Sequence, residues 1–259
     1  EVFKGFSLYI WSSRGIFVTP AEVKKDPLQV AAANWLASAE ALAQSVFLEN
    51  KAAIFADMGS TTTDIIPLSK GKVLVQGRTD TERLVSGELV YTGLLRTSIS
   101  SIVDYIYLDG VRCRVANEYF AISADVYRLL GLISEKDYDV PTPDGGKRDI
   151  EGCARRLARV IASDLEELGI EKIFVMARYL QDKQIQQIAD SIWQIISRKK
   201  IAFPQYLIST GQGSFLLEEV AHRLLCPIIP WWEIIPGAQV EQVMSAYSVA
   251  WLLSERLSK

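Results

Sequence analysis

The stretch Ala52–Leu68, AAIFADMGSTTTDIIPL, sets an aspartate, a glycine and four hydroxyl side chains between two apolar runs. Its period reads as strand, tight turn, strand. Gly59 permits close backbone approach, and the N–H groups and hydroxyls of Ser60, Thr61, Thr62 and Thr63 can cradle phosphate oxygens. Asp57 can hold a divalent cation against them, and Asp64 opens the second run. An ordinary hairpin with Ser/Thr turn bonding uses the same residue types. A second polar cluster covers residues 78–97. A helix from Thr81 to about Leu95 would carry Arg78, Asp80, Glu82, Arg83, Glu88 and Arg96 together with Gly87 and Gly93. Two glycines in one helix cost about 1 kcal/mol each relative to alanine. Their presence points to close approach of a backbone or ligand, with the arginines as candidate anion clamps, against the alternative of a solvated salt-bridge face.

Two further stretches carry chemistry. Asn117–Leu130 reads as a helix capped by Asn117, which places Glu118 and Asp125 on one face two turns apart, either as a shared site for a cation or substrate amine or as surface carboxylates. Thr210–Ser214 is a glycine turn between a strand at Gln205–Ser209 and a helix at Phe215–Leu225. Gly211, Gly213 and Ser214 there make a second anion or nucleotide site, although a lone G-x-G is common. His222, the single histidine, has no nucleophile beside it and reads as structural.

The elements that must position these residues follow from period and punctuation. Gly5–Trp11 and Gly15–Val18 read as short strands, Asp26–Phe47 as a helix that includes Trp35, and Val73–Arg78 as a third strand completing a meander around the polar turn. Ile102–Leu108 and Val111–Val115 flank the hairpin signal Asp109-Gly110. Asp137–Lys147 is a Pro/Gly/Asp-rich loop, a lid or a connection. Helices follow at Ile150–Leu168 and Glu171–Arg198, then a strand at Ile228–Pro230 and a helix from Ala238 to about Leu257.

The chain has 259 residues, 49% hydrophobic and 23% charged, enough for a sizeable core. With a net charge of −3 and scattered basic residues there is no footprint for nucleic acid or an anionic membrane. The apolar stretches fall short of a membrane span, and the first residues lack the form of a secretion signal. Cys113, Cys153 and Cys226 read as reduced thiols of a cytoplasmic protein. Homo-oligomerisation is left open.

The D-x-G-S-T-T-T-D turn, followed by G-R-T-D-x-E-R-L-x-S-G-E-L-V-Y-T-G-x-L-R-T, resembles the hydantoinase/oxoprolinase-related branch of the actin-like ATPase superfamily. More narrowly it resembles the tetrahydromethanopterin-linked one-carbon transfer pathway proteins, whose archaeal members are methanofuran-biosynthesis synthases. Ala31–Trp35, Asn117–Tyr127 and Ser209–Ser214 extend the likeness over most of the chain. The resemblance implies an α/β, two-lobed fold of duplicated ribonuclease-H-like domains. Residues 1–50 would be the remainder of the first lobe, 51–236 the second lobe with a helical insertion, and 237–259 a C-terminal helix packing back at the lobe interface. An earlier phosphate loop expected of that family is not in this sequence, so the chain reads as lacking the N-terminal part of its first lobe.

The implied activity is alkyl transfer. The phenol of gamma-glutamyltyramine attacks the methylene of an aminomethylfuran-methyl diphosphate, and diphosphate leaves. On this reading Gly59, Ser60, Thr61, Thr62, Arg78, Arg83 and Arg96 neutralise the diphosphate with magnesium on Asp57. Asp57, Asp64 and Glu88 join Arg83 as catalytic candidates, and Asp64, Glu88, Glu118 and Asp125 are the candidates for base or amine recognition. Tyr91 and Tyr119 stack on a ring, while Gly211, Gly213 and Ser214 line the second turn. The competing class is an ATP-dependent small-molecule kinase or hydantoinase-like hydrolase, with ATP the less favoured ligand.

Overall fold

A computed structural model describes residues 6–31, 33–199, 201–235 and 244–258. The elements run β1 (Ile10–Trp11), β2 (Phe17–Val18), α1 (Pro20–Lys25), α2 (Asn34–Ala43), β3 (Ala52–Met58), β4 (Thr63–Ser69), β5 (Lys72–Val73), α3 (Asp80–Ser86), β6 (Leu89–Val90) and α4 (Ile99–Ile102). They continue with β7 (Tyr105–Leu108), β8 (Val111–Arg114), α5 (Ser123–Leu129), α6 (Ile150–Arg159), α7 (Leu165–Leu168), α8 (Ile170–Ile196), β9 (Tyr206–Thr210), α9 (Ser214–Arg223), β10 (Ile228–Pro230) and α10 (Met244–Leu257).

Alternation along β3 explains the layering. Ala53 and Phe55 point to one core with α2, α10 and Trp231, whereas Ile54, Ala56 and Met58 point to a second core with α5, α6, α8 and α9. Both faces of the sheet are therefore apolar, and each buried Phe, Ile or Leu contributes about 1.5–3 kcal/mol. The strand order is β10-β9-β3-β4-β5, with β6 on β4. β10, β9 and β3 are parallel, and β4 runs antiparallel to β3. The carboxyl ends of β3 and β9 thus open at the same edge, where open α/β sheets place their ligands.

Several expected elements are shorter than their patterns. The helix at Asp26–Phe47 is broken into 3-10 turns at Pro27–Val30 and Val46–Leu48 around α2. The expected helix from Thr81 to Leu95 stops at Ser86, because Gly87 adopts φ +75° as a left-handed cap and the chain re-enters the sheet as β6. The Asn117–Leu130 helix begins only at Ser123 and has Asp125 in its first turn, so Glu118 lies outside it. Ile150–Leu168 is two helices, interrupted after Arg159. The third meander strand is Lys72–Val73, and its predicted continuation to Arg78 is not strand. The start expected for the last helix, residues 238–243, and the first residue of the opening strand lie outside the described residues.

Gly93 is the close-approach glycine. A Cβ there would sit 2.6 Å from the backbone N and C of Thr61 and 2.7 Å from the carbonyl carbon of Ser60. The segment it belongs to clamps the polar turn: Leu94 N donates to Gly59 O, and Leu95 N and Arg96 N both donate to Ser60 O, each at 2.9 Å. Gln184 of α8 holds the clamp from below, its Nε2 donating to Thr92 Oγ1 and Gly93 O at 2.8 Å while its Oε1 accepts from Tyr127. Gly59, by contrast, has nothing nearer than 3.7 Å to an added Cβ. Gly93→Ala is therefore expected to lower unfolding free energy by more than about 2 kcal/mol, and Gly59→Ala by less than about 1 kcal/mol, in urea titrations.

Candidate functional site

Strand register builds the floor of the site. Asp57 pairs directly with Asp64 on β4 and with Thr210 on β9, so all three side chains share one face at the open edge of the sheet. Arg83 donates from Nη2 to Asp64 Oδ1 at 2.6 Å and to Glu88 O at 3.0 Å, with its guanidinium carbon 4.1 Å from the Trp35 ring centre. Asp57 has no hydrogen-bond or ion-pair partner among the described residues. Burial, with the charge of Asp64 adding to it, pushes the Asp57 carboxyl up to about 7. Burial also pushes Asp64 up, and the Arg83 guanidinium pulls it back down.

Two turns flank Asp57. In the first, Gly59 N donates to Thr62 O at 2.9 Å and is not free for a ligand, whereas the N–H groups of Ser60, Thr61 and Thr62 meet no acceptor among the described residues. Thr63 turns away and donates to Thr92 O. In the second, Gly211 has φ +91°, and a Cβ on it would lie 2.6 Å from Asp57 Oδ1 and 2.4 Å from Met58 O. Only glycine fits that contact. Gly213 N donates to Met58 O at 2.9 Å, which ties the start of α9 to the end of β3.

A cleft of about 960 Å³ opens above this floor. Its polar wall is Asp57, Gly59, Thr210, Gly211, Gln212 and Ser214. Leu94, Leu132, Ile133, Phe215, Met244 and Ala246 supply apolar wall, and Lys136, Asp137 and Asp139 come from the loop after α5. Of the residues singled out in the sequence, the cleft thus takes Asp57, Gly59, Gly211 and Ser214. Ser60, Thr61 and Thr62 lie beside it, half-buried in the turn that follows Asp57.

The other sequence candidates sit elsewhere. Glu88 is fully buried; its carboxylate accepts from Gln76 N and Gly77 N and pairs with Arg198 at 2.6 Å, which corrects its reading as a base. Asp125 is likewise fully buried, bonded to Arg156, Tyr138 and Ile122 N, and shares no face with the exposed Glu118. Arg83 is 1% exposed and engaged by Asp64, so it is no free anion clamp. Arg78, Arg96, Tyr91 and Tyr119 are exposed outside the cleft wall. Sequence reasoning marked Asp137–Lys147 as a lid or a connection but named none of Lys136, Asp137 and Asp139 as a site residue. Their signal was the alternation Asp137, Tyr138, Asp139, Val140, exposed and buried in turn, at the start of the loop.

Among the described residues no group of three or more His, Cys, Asp or Glu side chains could hold a metal by protein ligands alone. Magnesium needs only one or two carboxylates when phosphate oxygens and water complete its shell, and the unpaired Asp57 fits that pattern. No helix is long and apolar enough to cross a membrane, among the described residues.

The architecture is α/β, a mixed sheet covered by helices on both faces. It is similar to a nucleotide-free acetone carboxylase structure titled for ATP-dependent acetone carboxylation, with a TM-score of 0.61 at 16% identity over 95% of this chain and 35% of that one. It is also similar to an ATP-dependent caprolactamase from Pseudomonas jessenii, with a TM-score of 0.53 at 15% identity over 92% of this chain and 35% of that one. The chain spans about a third of each of those proteins. The hydantoinase/oxoprolinase family profile matches residues 1–251, and the chain belongs to that family. A relative from Methanocaldococcus jannaschii, 35% identical over all of this chain and 76% of its own length, is named (4-{4-[2-(gamma-L-glutamylamino)ethyl]phenoxymethyl}furan-2-yl)methanamine synthase. A Methanococcus vannielii protein of the same name is 33% identical over 72% of this chain and 81% of its own length.

The raised Asp57 carboxyl has a thermodynamic sign. A folded value of about 7 against the ordinary 3.8 means that ionisation opposes folding. The contribution to stability is fully present below about pH 3.8 and is lost as pH rises through about 7. In chelator-treated protein Asp57→Asn is expected to match the parent at pH 4 and to be more stable at pH 8. Because water in the cleft screens the carboxylate, the gain is about 1–3 kcal/mol, measured by denaturant titration at the two pH values.

Proposed function

We propose that this protein forms the aryl furfuryl ether for which its relatives are named. It joins the phenol of gamma-glutamyltyramine to the methylene of an aminomethylfuran-methyl diphosphate. The observation that carries this reading is the 35% identity across the whole chain to a protein named as a synthase of that ether, together with a cleft that combines an unpaired carboxylate, two glycine turns and apolar wall. In the reaction the bond between methylene carbon and diphosphate oxygen breaks, and its electron pair leaves with diphosphate. The phenol oxygen bonds to the carbon, and the phenolic proton passes to the departing diphosphate. The furan ring donates electron density into the methylene, so departure runs ahead of attack and the proton is lost late, when the oxygen is most acidic.

The chain's own residues bind and orient. The open N–H groups of Ser60, Thr61 and Thr62 are the donors we assign to the anion. Lys136 is the cation among the described residues of the cleft wall, and we assign it the leaving diphosphate in place of Arg83, Arg78 and Arg96. Asp57 would hold magnesium, which when bound neutralises the leaving group. Arg83 favours the charged form of Asp64 beneath it, against the effect of burial. Leu132, Ile133 and Phe215 exclude water from the ring.

The alternative, an ATP-dependent kinase or hydrolase, is favoured by the ATP-dependent activities named in the titles of both structural neighbours. It requires an adenosine berth beside Gly211–Ser214, and Phe215 stands on that wall with its ring 6.3 Å from Tyr127. We further propose the division at residues 50/51, a C-terminal segment from 237 whose described part, α10, packs on α2 while its boundary at 236/237 lies outside the described residues, and a cytoplasmic location for a biosynthetic enzyme.

Mass spectrometry after incubation of the furan diphosphate, gamma-glutamyltyramine and magnesium is expected to show the ether and one diphosphate per turnover. ATP hydrolysis stimulated by either substrate, without ether, would replace this reading by the alternative. Lys136→Ala is expected to lower kcat/KM about 10- to 100-fold in the same assay. Asp57→Asn is expected to remove activity in the same assay, as the carboxylate that would hold magnesium is lost.

A further inference from the structure

The loop after α5 has a two-sided construction. Tyr138 and Val140 are buried, and the Tyr138 hydroxyl donates to Asp125 Oδ1 at 2.9 Å. Asp125 is in turn gripped by Arg156, whose Nη1 also reaches Lys147 O and Asp144 further along the loop. With Tyr138 pinned inward, the residues on either side of it, Asp137 and Asp139, are presented to the cleft. They are not equivalent. Asp137 Oδ2 accepts from Ser134 N at 2.8 Å and closes its own turn, whereas Asp139 has no hydrogen-bond or ion-pair partner among the described residues.

The charges of the cleft wall give this a direction. Asp57, Asp137 and Asp139 oppose the one cation Lys136, among the described residues. Such a cleft repels a bare polyanion and favours a ligand that brings positive charge of its own. Asp57 at the end of β3 and Asp139 in the loop after α5, neither with a partner among the described residues, are two places for that charge in a cleft whose wall also includes Leu94, Leu132, Ile133 and Phe215. We infer that Asp139 is a specificity-determining residue that accepts the primary ammonium of the substrate while the phosphate end lies over Asp57. This inference rests on the ether-forming reading above. It moves amine recognition from the helix face expected at Glu118 and Asp125 to the loop.

Binding, which does not depend on turnover, tests it. Calorimetry compares two probes with magnesium: the furan diphosphate bearing an aminomethyl group and the same molecule bearing a methyl group. The parent protein is expected to prefer the aminomethyl probe by about tenfold or more, and Asp139→Asn to abolish that preference without weakening the methyl probe. Asp137→Asn should retain the preference. No preference in the parent protein, or a preference that survives in Asp139→Asn, overturns the inference. Turnover of the aminomethyl probe to the ether, measured separately, decides the underlying reading: ether formed with the preference unchanged in Asp139→Asn sinks only the role of Asp139.

Discussion

Two carboxylates face each other across β3 and β4, and only one has a counter-cation. The register that pairs Asp57 with Asp64 makes their charges additive on a buried face, and the fold answers with a single guanidinium. Arg83 can serve because Gly87 ends α3 in time to return the chain as β6, which brings Glu88 O to within 3.0 Å of the same guanidinium nitrogen. Glu88 is itself held by Arg198 and two backbone N–H groups, and Trp35 closes the other side of the guanidinium. Several elements thus converge to place one guanidinium on Asp64, where it opposes the effect of burial, and Asp57 is left without a counter-cation among the described residues. Burying a carboxylate without a partner costs stability. A site that keeps one in a cleft holds back an electrostatic demand that a bound cation satisfies.

Gly93 and Gly211 serve the same arrangement from the two flanks. Each lets backbone come closer than any side chain would permit, Gly93 over the turn at Ser60 and Thr61, Gly211 against Asp57 and Met58. Rigidity of the first turn is then set at a distance, through Thr92, Thr97, Ser123 and Gln184, a buried polar web in which each hydroxyl and amide has a partner. Partial satisfaction of such a web would be worse than none. The polar turn therefore depends on α8, which is remote in sequence.

Much of the fold was legible because strands buried on both faces leave a strong mark. Ala52–Leu68 announced its hairpin, and the G-x-G turn and the long helix at residues 170–196 stood out by period. The arginine-rich segment was misread as one helix because Leu84, Leu89 and Leu95 fit a helical face as well as they fit a turn and a strand. Gly87 was the evidence against it. Candidate residues were legible by chemical type and not by partner: Glu88 and Asp125 look like any reactive carboxylate until Arg198 and Arg156, 110 and 31 residues away, are seen on them. No local pattern can carry that information. Lys136 and Asp139 were hidden for the opposite reason, since exposed charges in a loop are ordinary until a cleft is known to lie beside them.

The charge balance of the cleft constrains any chemistry it performs. A diphosphate ester bears at least two negative charges, and the wall already offers three carboxylates against one lysine. At an effective dielectric of about 20, a like-charged pair at 4 Å costs about 4 kcal/mol, so repulsion from several carboxylates offsets what the donors of one turn return. A bare diphosphate is therefore a poor ligand for this site as it stands. A diphosphate accompanied by a divalent cation, on a molecule that also carries an ammonium, reverses the sign of nearly every term. The same carboxylates that disfavour the free anion then favour its two positive companions.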